Sequence, residues 1–488
     1  MEDSVDDETS EVSRRRFLKT TAAAAGVVLI ADPVLEKLLA APPPWVRPSV
    51  KGMTASSQTI KSYIAGIKAM QALPSTDGRN WIYWASIHGN SHVPNPPPTA
   101  WATCQHGSYF FLSWHRMYVY WFEKIIRKLS KDDSFALPYW DYTDKDQRSL
   151  PLMFRDPKTS ANVLYIAQRN VALGHNVNNG DPLPPSAVDS ANAINNYSNF
   201  MSPTGSGASF GGQYLPLPKH FSSPYGALES TPHNTVHGQL GGSSGWMNNP
   251  DLAARDPIFW LHHANIDRLW NSWRIKWGGG EPVTTPAWTN PKFTFFNENG
   301  TAVTMSACQI LNAAAQLQYT YESQPPVPIV NCPTTITAGV IPRLIRRDLI
   351  KNPGPPVELN KRVQVALPVV PAIDQNLNSI APSKTKLVLN LDGIHVSRRP
   401  GMHYEVYVGL KQGQTPDPTG PYFVGNITFF SAFAHGEEHG GTLSQSFIIN
   451  AAVARGDRNG GKLHVDIVPQ GPIEVPVTVD SITISTEE

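Results

Sequence analysis

At 488 residues the chain has room for two domains, and a hydrophobic share of 41% supports a packed core. Lys and Arg number 40 against 39 Asp and Glu, a formal charge of +1, so there is no electrostatic case for a nucleic-acid partner or an anionic membrane surface. With 13 Trp, 16 Tyr and 44 Pro, the composition implies a large aromatic core joined by rigid, irregular loops.

The N-terminus reads as an address. "SRRRFLK" (Ser13 to Lys19) precedes the apolar run "TAAAAGVVLIA", the pattern of a twin-arginine export signal. That run is too short for a permanent membrane span, and no other segment reaches transmembrane length. Residues 1–41 are assigned to the signal, with a cut near Ala40 or Ala41. Residues 42–325 predict a mainly α domain. "NWIYWASIHGN" is an aromatic helical stretch ending at His88, and Ser108 to Leu129 a long aromatic helix with basic residues at its C-terminus. Residues 141–225 are loop-rich. "ARDPIFWLHHANIDRLWNSWRIKW" is a second long helix, with Asp256 and Pro257 as N-cap and first-turn residue. Residues 326–383 are Pro-rich and read as a linker. From residue 384 to 488, short β-rich runs alternate with turn residues and predict a small all-β sandwich or jelly-roll-like domain. The cysteines, Cys104, Cys308 and Cys332, make no disulfide framework. Cys308 and Cys332 can pair in an oxidising compartment, which the sequence leaves open.

The histidines carry the chemistry. In "TPHNTVHGQL", His233 and His237 stand four apart and share a helix face. Among 15 histidines such a pair also arises by chance. A zinc protease needs Glu after the first histidine, and Asn234 is there instead. In "DPIFWLHHANIDRLW", Phe259, His263, Ile266 and Trp270 form one inward face. His262 points about 100° away by the helical period, but Ile258, Phe259 and Ile266 also flank it, so periodicity favours His263 without excluding His262. Asp267, one turn on, can orient an imidazole or pair with an arginine. His115 has Phe111, Leu112, Tyr118 and Val119 as helical neighbours. His106 joins it only if the helix starts after it, and Gly107 allows such a start. His88 completes a second triple. A lone inward histidine is usually a hydrogen-bonded core residue. Two triples among aromatics favour metal, and imidazole-only sets suit copper or zinc over magnesium or calcium.

These stretches resemble the tyrosinase, catechol oxidase and haemocyanin family of binuclear copper proteins. "DPIFWLHHANIDRLW" is similar to the family's copper B signature almost residue by residue. "HRMYVYWFEKII" and "FALPYWDYTD" resemble plant polyphenol oxidases, "IHG" and "CQH" fungal tyrosinases. "YTY" (Tyr319 to Tyr321) resembles the tyrosine motif ending the catalytic domain, with Arg47 as its N-terminal partner. "HYEVYVGL" and "GPYFVGNITFF" resemble the plant enzymes' C-terminal shielding domain.

The resemblance implies a helical bundle around two copper ions, with O2 as co-substrate and small phenols as partners. By it, His88, His106 and His115 hold copper A, and His233, His237 and His263 hold copper B. His92 is a rival to His88, which "IHG" favours. Asp256, Phe259, His262, Asp267 and Arg116 are expected in the supporting layer. Cys104 has the fungal spacing for a thioether bond to His106; the alternative is a free buried thiol. Glu229 and Asn234 are expected to hold a water that deprotonates a monophenol. Any of Phe429, Phe430 and Phe433 can plug the copper cavity, or each can be a sandwich core residue. The implied activity is ortho-hydroxylation of monophenols and oxidation of catechols to o-quinones. The alternatives are a catechol or o-aminophenol oxidase without monophenolase activity, and a haemocyanin-like dioxygen carrier. An oligomer remains open.

Overall fold

The computed structural model describes residues 45–91, 100–172, 175–333, 343–352, 354–369, 386–433, 442–456 and 461–487. Residues 1–41, where an export signal is expected, and His92 lie outside the described residues. Trp45–Glu488 forms one unit, distinct from Met1–Pro44. It has a helical N-terminal part and a β-rich C-terminal part. No helix among the described residues is long and apolar enough to cross a membrane.

The helices that matter are α1 (Gln58–Ala72), α2 (Trp81–His88), α3 (Phe111–Ser130), α4 (Thr235–Gly241) and α5 (Ile258–Trp277). Asn80 starts α2 by accepting from Ile82 N (3.0 Å) and Tyr83 N (3.2 Å). α3 begins at Phe111, so His106 precedes it. The turn between them needs Gly107. Its φ is +70°, and a Cβ there would lie 1.8 Å from Ser222 O. Asp256 accepts from Ile258 N at 3.1 Å and holds Arg169 through both carboxylate oxygens, fixing the entry of α5. α5 ends at Gly278, whose φ of 79° suits glycine.

Helix α3 packs against α1 and α5, and one buried polar cluster ties these helices to the ends of the domain. Strand β1 (Trp45–Arg47) pairs in parallel with β2 (Tyr319–Tyr321). Arg47 binds Glu123 (2.7 Å), Asp267 (3.2 Å) and Tyr321 OH (2.8 Å), and its guanidinium lies 3.6 Å from the Tyr319 ring centroid. Asp267 also takes Arg116 and the hydroxyls of Tyr319 and Tyr321, both at 2.6 Å. Burial drives the Asp267 carboxyl up, but Arg116 and Arg47 overcome it and hold it below its ordinary value. Removing one member strands buried charge, at a cost of about 3–5 kcal/mol. A Cys308–Cys332 disulfide closes a separation of 24 residues, worth about 3 kcal/mol on loop entropy.

The β-rich part has two sheets. A five-stranded sheet orders β4 (Val357–Glu358), β11 (Val477–Glu487), β6 (Lys386–Val396) and β9 (Thr442–Ile448), with β3 (Arg346–Lys351) also on β11. A four-stranded sheet orders β5 (Val363–Pro368), β10 (Lys462–Pro469), β7 (Tyr404–Val408) and β8 (Phe423–Ile427). Buried side chains from both sheets join one apolar cluster. The linker assignment for 326–383 therefore needs correction, because Arg346–Pro368 contributes β3, β4 and β5. These strands escape notice because "RRDLIK" and "VQVALP" each bury a single side chain fully. "RRDLIK" lacks the alternating apolar face that marks a strand, whereas "VQVALP" carries only a short one, Val363, Val365 and Leu367.

The two parts meet through hydrogen bonds and a buried histidine. Asn426 donates to Ser186 O (2.9 Å) and Thr231 Oγ1 (3.1 Å), and Asn192 to Val424 O (2.8 Å). His403 lies between Ser186 Oγ and Gln239 Nε2, each at 3.2 Å. Gln239 Nε2 donates to His403 Nδ1, so the neutral ring donates from Nε2 to Ser186. Burial pushes His403 from 6.5 down to about 3. The folded ring thus resists a proton that the unfolded ring accepts. His403 costs nothing above pH 6.5, and stability falls by about 1.4 kcal/mol per unit as pH drops from there toward 3. Urea denaturation at pH 7 and pH 5 should show a loss smaller by about 2 kcal/mol in His403→Gln than in the parent. Equal losses would remove His403 as the cause.

Candidate metal centre

Six segments deliver histidines to one buried point. His88 is the last residue of α2, His106 stands before the Gly107 turn, and His115 lies on α3. His233 comes from the kinked turn Glu229–Asn234, broken at Thr231 and Pro232; His237 follows on α4, and His262 and His263 on α5. Two groups result, His88–His106–His115 and His233–His237–His262–His263, each with one ligand atom per residue within 4.8 Å of the others. The groups face each other. The His115 and His263 rings stack at 4.5 Å and 9°, and His106 and His233 lie 5.6 Å apart.

Most rings are held from behind by Nδ1. His88 donates to Pro250 O (2.8 Å), His115 to Phe111 O (2.8 Å) and His237 to Met247 O (2.5 Å). His106 donates to Glu229 Oε1 (3.0 Å) and His233 to Asn234 Oδ1 (2.8 Å). His262 Nδ1 meets the Tyr142 hydroxyl at 3.0 Å. A ring that donates from Nδ1 to a carbonyl or carboxylate presents a bare Nε2 lone pair, the arrangement that orients metal-binding imidazoles.

Those lone pairs have nothing to meet. Nε2 of His115, His233, His237, His262 and His263 is buried without a hydrogen-bond partner. His88 Nε2 and His106 Nε2 face each other at 3.4 Å, two acceptors in contact. Burial also keeps the rings neutral. His88 is pushed from 6.5 to about 4 and His262 to about 3, while burial and the neighbouring rings hold His106, His115, His233, His237 and His263 well below 6.5. Neutral, pre-aimed imidazoles are what a cation requires. An all-nitrogen donor set suits copper or zinc, so these residues fit a pair of copper ions.

Phenylalanines wall the site. Phe259 lies 4.2 Å from His263 and 5.0 Å from His88, and Phe111 4.6 Å from His233. Phe221 stacks on His106 at 5.4 Å and 7°. Of the three tail phenylalanines, Phe430 enters the site. Its ring stacks on His237 at 4.0 Å and reaches His106 (5.4 Å) and His233 (5.5 Å). Phe429 and Phe433 belong to the β-rich core.

The other candidate residues lie around the rings. Glu229 is turned to the His106 ring and to Gly107 N (2.8 and 2.9 Å). Asn234 holds His233, and its Nδ2 reaches Thr428 Oγ1 at 3.3 Å. Asp267 and Arg116 pair with each other and with the Arg47 cluster, and orient no histidine. Asp256 serves Arg169 and the start of α5. Cys104 is in no disulfide, and its Sγ lies 3.3 Å from His220 Nδ1. The cause is the backbone, since His106 N donates to His220 O (3.0 Å) and lays that loop beside Cys104. Tyr142, Phe221, His220 and the carbonyls of Pro250 and Met247 went unforeseen. Tyr142 lies within the quoted "PYWDYTD", but nothing in the sequence pairs it with His262.

Residues 78–276 match the common central domain of tyrosinase, residues 282–335 the polyphenol oxidase middle domain, and residues 356–487 a domain of unknown function, DUF7868. Tyrosinase HcTyr1 of Hahella sp. (strain CCB-MM4) is 34% identical over 299 residues, covering 54% of this chain and 60% of that protein. The latent form of chloroplastic polyphenol oxidase of Prunus armeniaca is 32% identical over 288 residues, covering 55% and 48%. The chain thus spans about half to three-fifths of these relatives' lengths. Among solved structures, latent apple tyrosinase superposes with a TM-score of 0.61 at 20% identity, covering 91% of this chain and 97% of its own. Latent aurone synthase (polyphenol oxidase) gives 0.64 at 22%, covering 91% and 89%. At these identities the likeness is one of fold.

Proposed function

The chain belongs to the tyrosinase and polyphenol oxidase family of type-3 copper oxidoreductases, and from that premise we propose that it uses O2 to hydroxylate monophenols and to oxidise catechols to o-quinones. The observation carrying this reading is the pair of facing histidine groups whose bare Nε2 atoms lie buried without partners. His88, His106 and His115 would hold one copper ion, and His233, His237 and His263 the other. The copper pair supplies dioxygen activation and electron transfer when bound. The chain's own groups do the rest. The Pro250, Phe111 and Met247 carbonyls, Glu229 and Asn234 fix the ring directions. Phe111, Phe221 and Phe259 wall the site with apolar rings and keep water out. A flat phenol suits such a slot. The twin-arginine stretch supports export of the protein.

Oxygen uptake by copper-loaded protein tests the reading, with a monophenol and then with its catechol. Uptake with both, after a lag on the monophenol, supports monophenolase activity. Uptake with catechol alone restricts the protein to catechol oxidation. Reversible oxygen binding without turnover of either overturns the enzyme reading in favour of a carrier.

Phe430 stands where a substrate ring would stack on His237, so the β-rich part is read as a cover. Phe430→Ala should raise catechol turnover about five- to tenfold, the population of open site gained by removing roughly 1 kcal/mol of blocking contact. A cut between Cys332 and Arg346 would free the cover with both sheets intact, since no strand lies there among the described residues and the Cys308–Cys332 disulfide stays on one side of the cut. Unchanged kinetics in a folded Phe430→Ala protein would discard the plug.

A further inference from the structure

From Asn426 to Phe430, at the end of β8, side chains alternate between two neighbours with the two-residue period of a strand. Ile427 and Phe429 belong to the apolar cluster of the β-rich part. Asn426, Thr428 and Phe430 turn the other way, toward the metal-bearing part. Phe430 lies against His237, and the two polar residues before it grip the kinked turn Glu229–Asn234.

Asn426 is fully buried. It donates from Nδ2 to Thr231 Oγ1 (3.1 Å), and its carbonyl accepts from Ser230 Oγ (3.2 Å). Thr231 is where the turn breaks, with φ −143° and ψ 123°, so the strand clamps the turn at its break. Three residues on, Asn234 donates from Nδ2 to Thr428 Oγ1 (3.3 Å). Gln445 of β9 donates to the same oxygen (3.2 Å) and to the Thr428 carbonyl (3.0 Å). A hydroxyl oxygen has two lone pairs, and these two amides fill them. An acceptor at that place holds the Asn234 amide with its nitrogen toward β8. The amide oxygen is then left for His233 Nδ1, at 2.8 Å. A ring that donates from Nδ1 keeps its lone pair on Nε2. His233, Asn234, Thr428 and Gln445 are all buried, and in a buried chain of hydrogen bonds an unmet member is costly.

We propose that Thr428 is a positioning residue for the second metal position. Its hydroxyl fixes the Asn234 amide, the amide fixes the tautomer and direction of His233, and the β-rich part thereby sets a ring that it also covers. The proposal rests on the copper reading above and leaves His233, His237 and His263 as the donors. Phe430 acts on access alone. Thr428 touches neither metal nor substrate, so its effect reaches the ring through Asn234. Displacing the cover then has two consequences of opposite sign: the site opens, and His233 loses part of its support.

The test uses the full chain carrying His88→Ala, in which one bound ion is expected, and competition with a Cu(I) chelator. Loss of a direct ring partner costs about 10–100-fold in metal affinity. Thr428 stands one hydrogen bond further out, so Thr428→Val, equal in shape, should weaken copper about three- to tenfold. Thr428→Ser keeps the oxygen and should restore the parent affinity. A serine variant as weak as the valine variant would assign the effect to the methyl group and overturn the proposal. A second readout needs no metal. In apo protein with 15N-labelled histidine, the His233 Nδ1 proton, assigned by its loss in His233→Gln, should exchange with solvent faster in Thr428→Val and at the parent rate in Thr428→Ser. Unchanged exchange would overturn the route through Asn234, whatever the affinity does. Thr428→Ala takes the place of the valine variant if that protein does not fold. If the His88→Ala chain binds no copper, the copper reading fails, and the exchange rates still decide the link from Thr428 to His233. If it binds copper and both Thr428 variants match it, this inference alone falls.

Discussion

His88→Ala should reduce bound copper from two ions per chain to one and lower catechol turnover by more than about a hundredfold. Changes in the layer behind a ligand cost 10–100-fold, and losing a ligand outright exceeds them. His88 is decisive because its group has only three rings. With it gone, His106 and His115 remain, and among the described residues no fourth histidine belongs to that group. His88 also forms the 3.4 Å Nε2–Nε2 contact with His106 and donates to Pro250 O. Its loss therefore strands one carbonyl as well as the metal. Metal analysis, oxygen uptake and a thermal melt on one sample check this. Two retained ions with ordinary turnover would remove His88 from the site.

Glu229→Gln should weaken copper at the His88–His106–His115 position about 10–100-fold, because the amide keeps an acceptor for His106 Nδ1 and loses the charge. Burial pushes the Glu229 carboxyl well above its ordinary value, and the Gly107 N–H draws it partly back. A cation across the His106 ring favours the carboxylate. Glu229 is thus a positioning residue whose charge matters when metal is bound. Competition with a Cu(I) chelator measures the affinity. Turnover at saturating copper then separates two roles. Equal monophenol and catechol rates would restrict Glu229 to holding His106. A larger fall with monophenol would add a part in removing the phenol proton. Unchanged affinity would discard the positioning role.

Local periodicity made certain things legible. The aromatic stripes of α3 and α5 exist because their apolar residues recur at helical spacing, and that spacing also marked His115 and His263 as inward. The four-residue step from His233 to His237 was visible for the same reason. So was the requirement for a break at Gly107, since nine helical steps put His106 on the wrong side of His115. The weak points were equally physical. β3 is mostly charged, so no apolar alternation announced it, and in β5 the alternation is confined to Val363, Val365 and Leu367, within a Pro-rich stretch.

What the sequence by itself determined is which side chains are helical, inward and able to bind metal, because those depend on neighbours within a few residues. The tertiary structure alone decided what each ring meets. Pro250, Met247 and Tyr142 are distant carbonyls and hydroxyls that fix Nδ1, and their approach depends on chain packing. Packing also chose Phe430 over Phe429 and Phe433, gave Cys104 His220 as its neighbour, and turned His262 into the group that helical phase had assigned to His263. Direction at a buried site is set by contacts between segments far apart in the chain, and such contacts leave no period in the sequence to read.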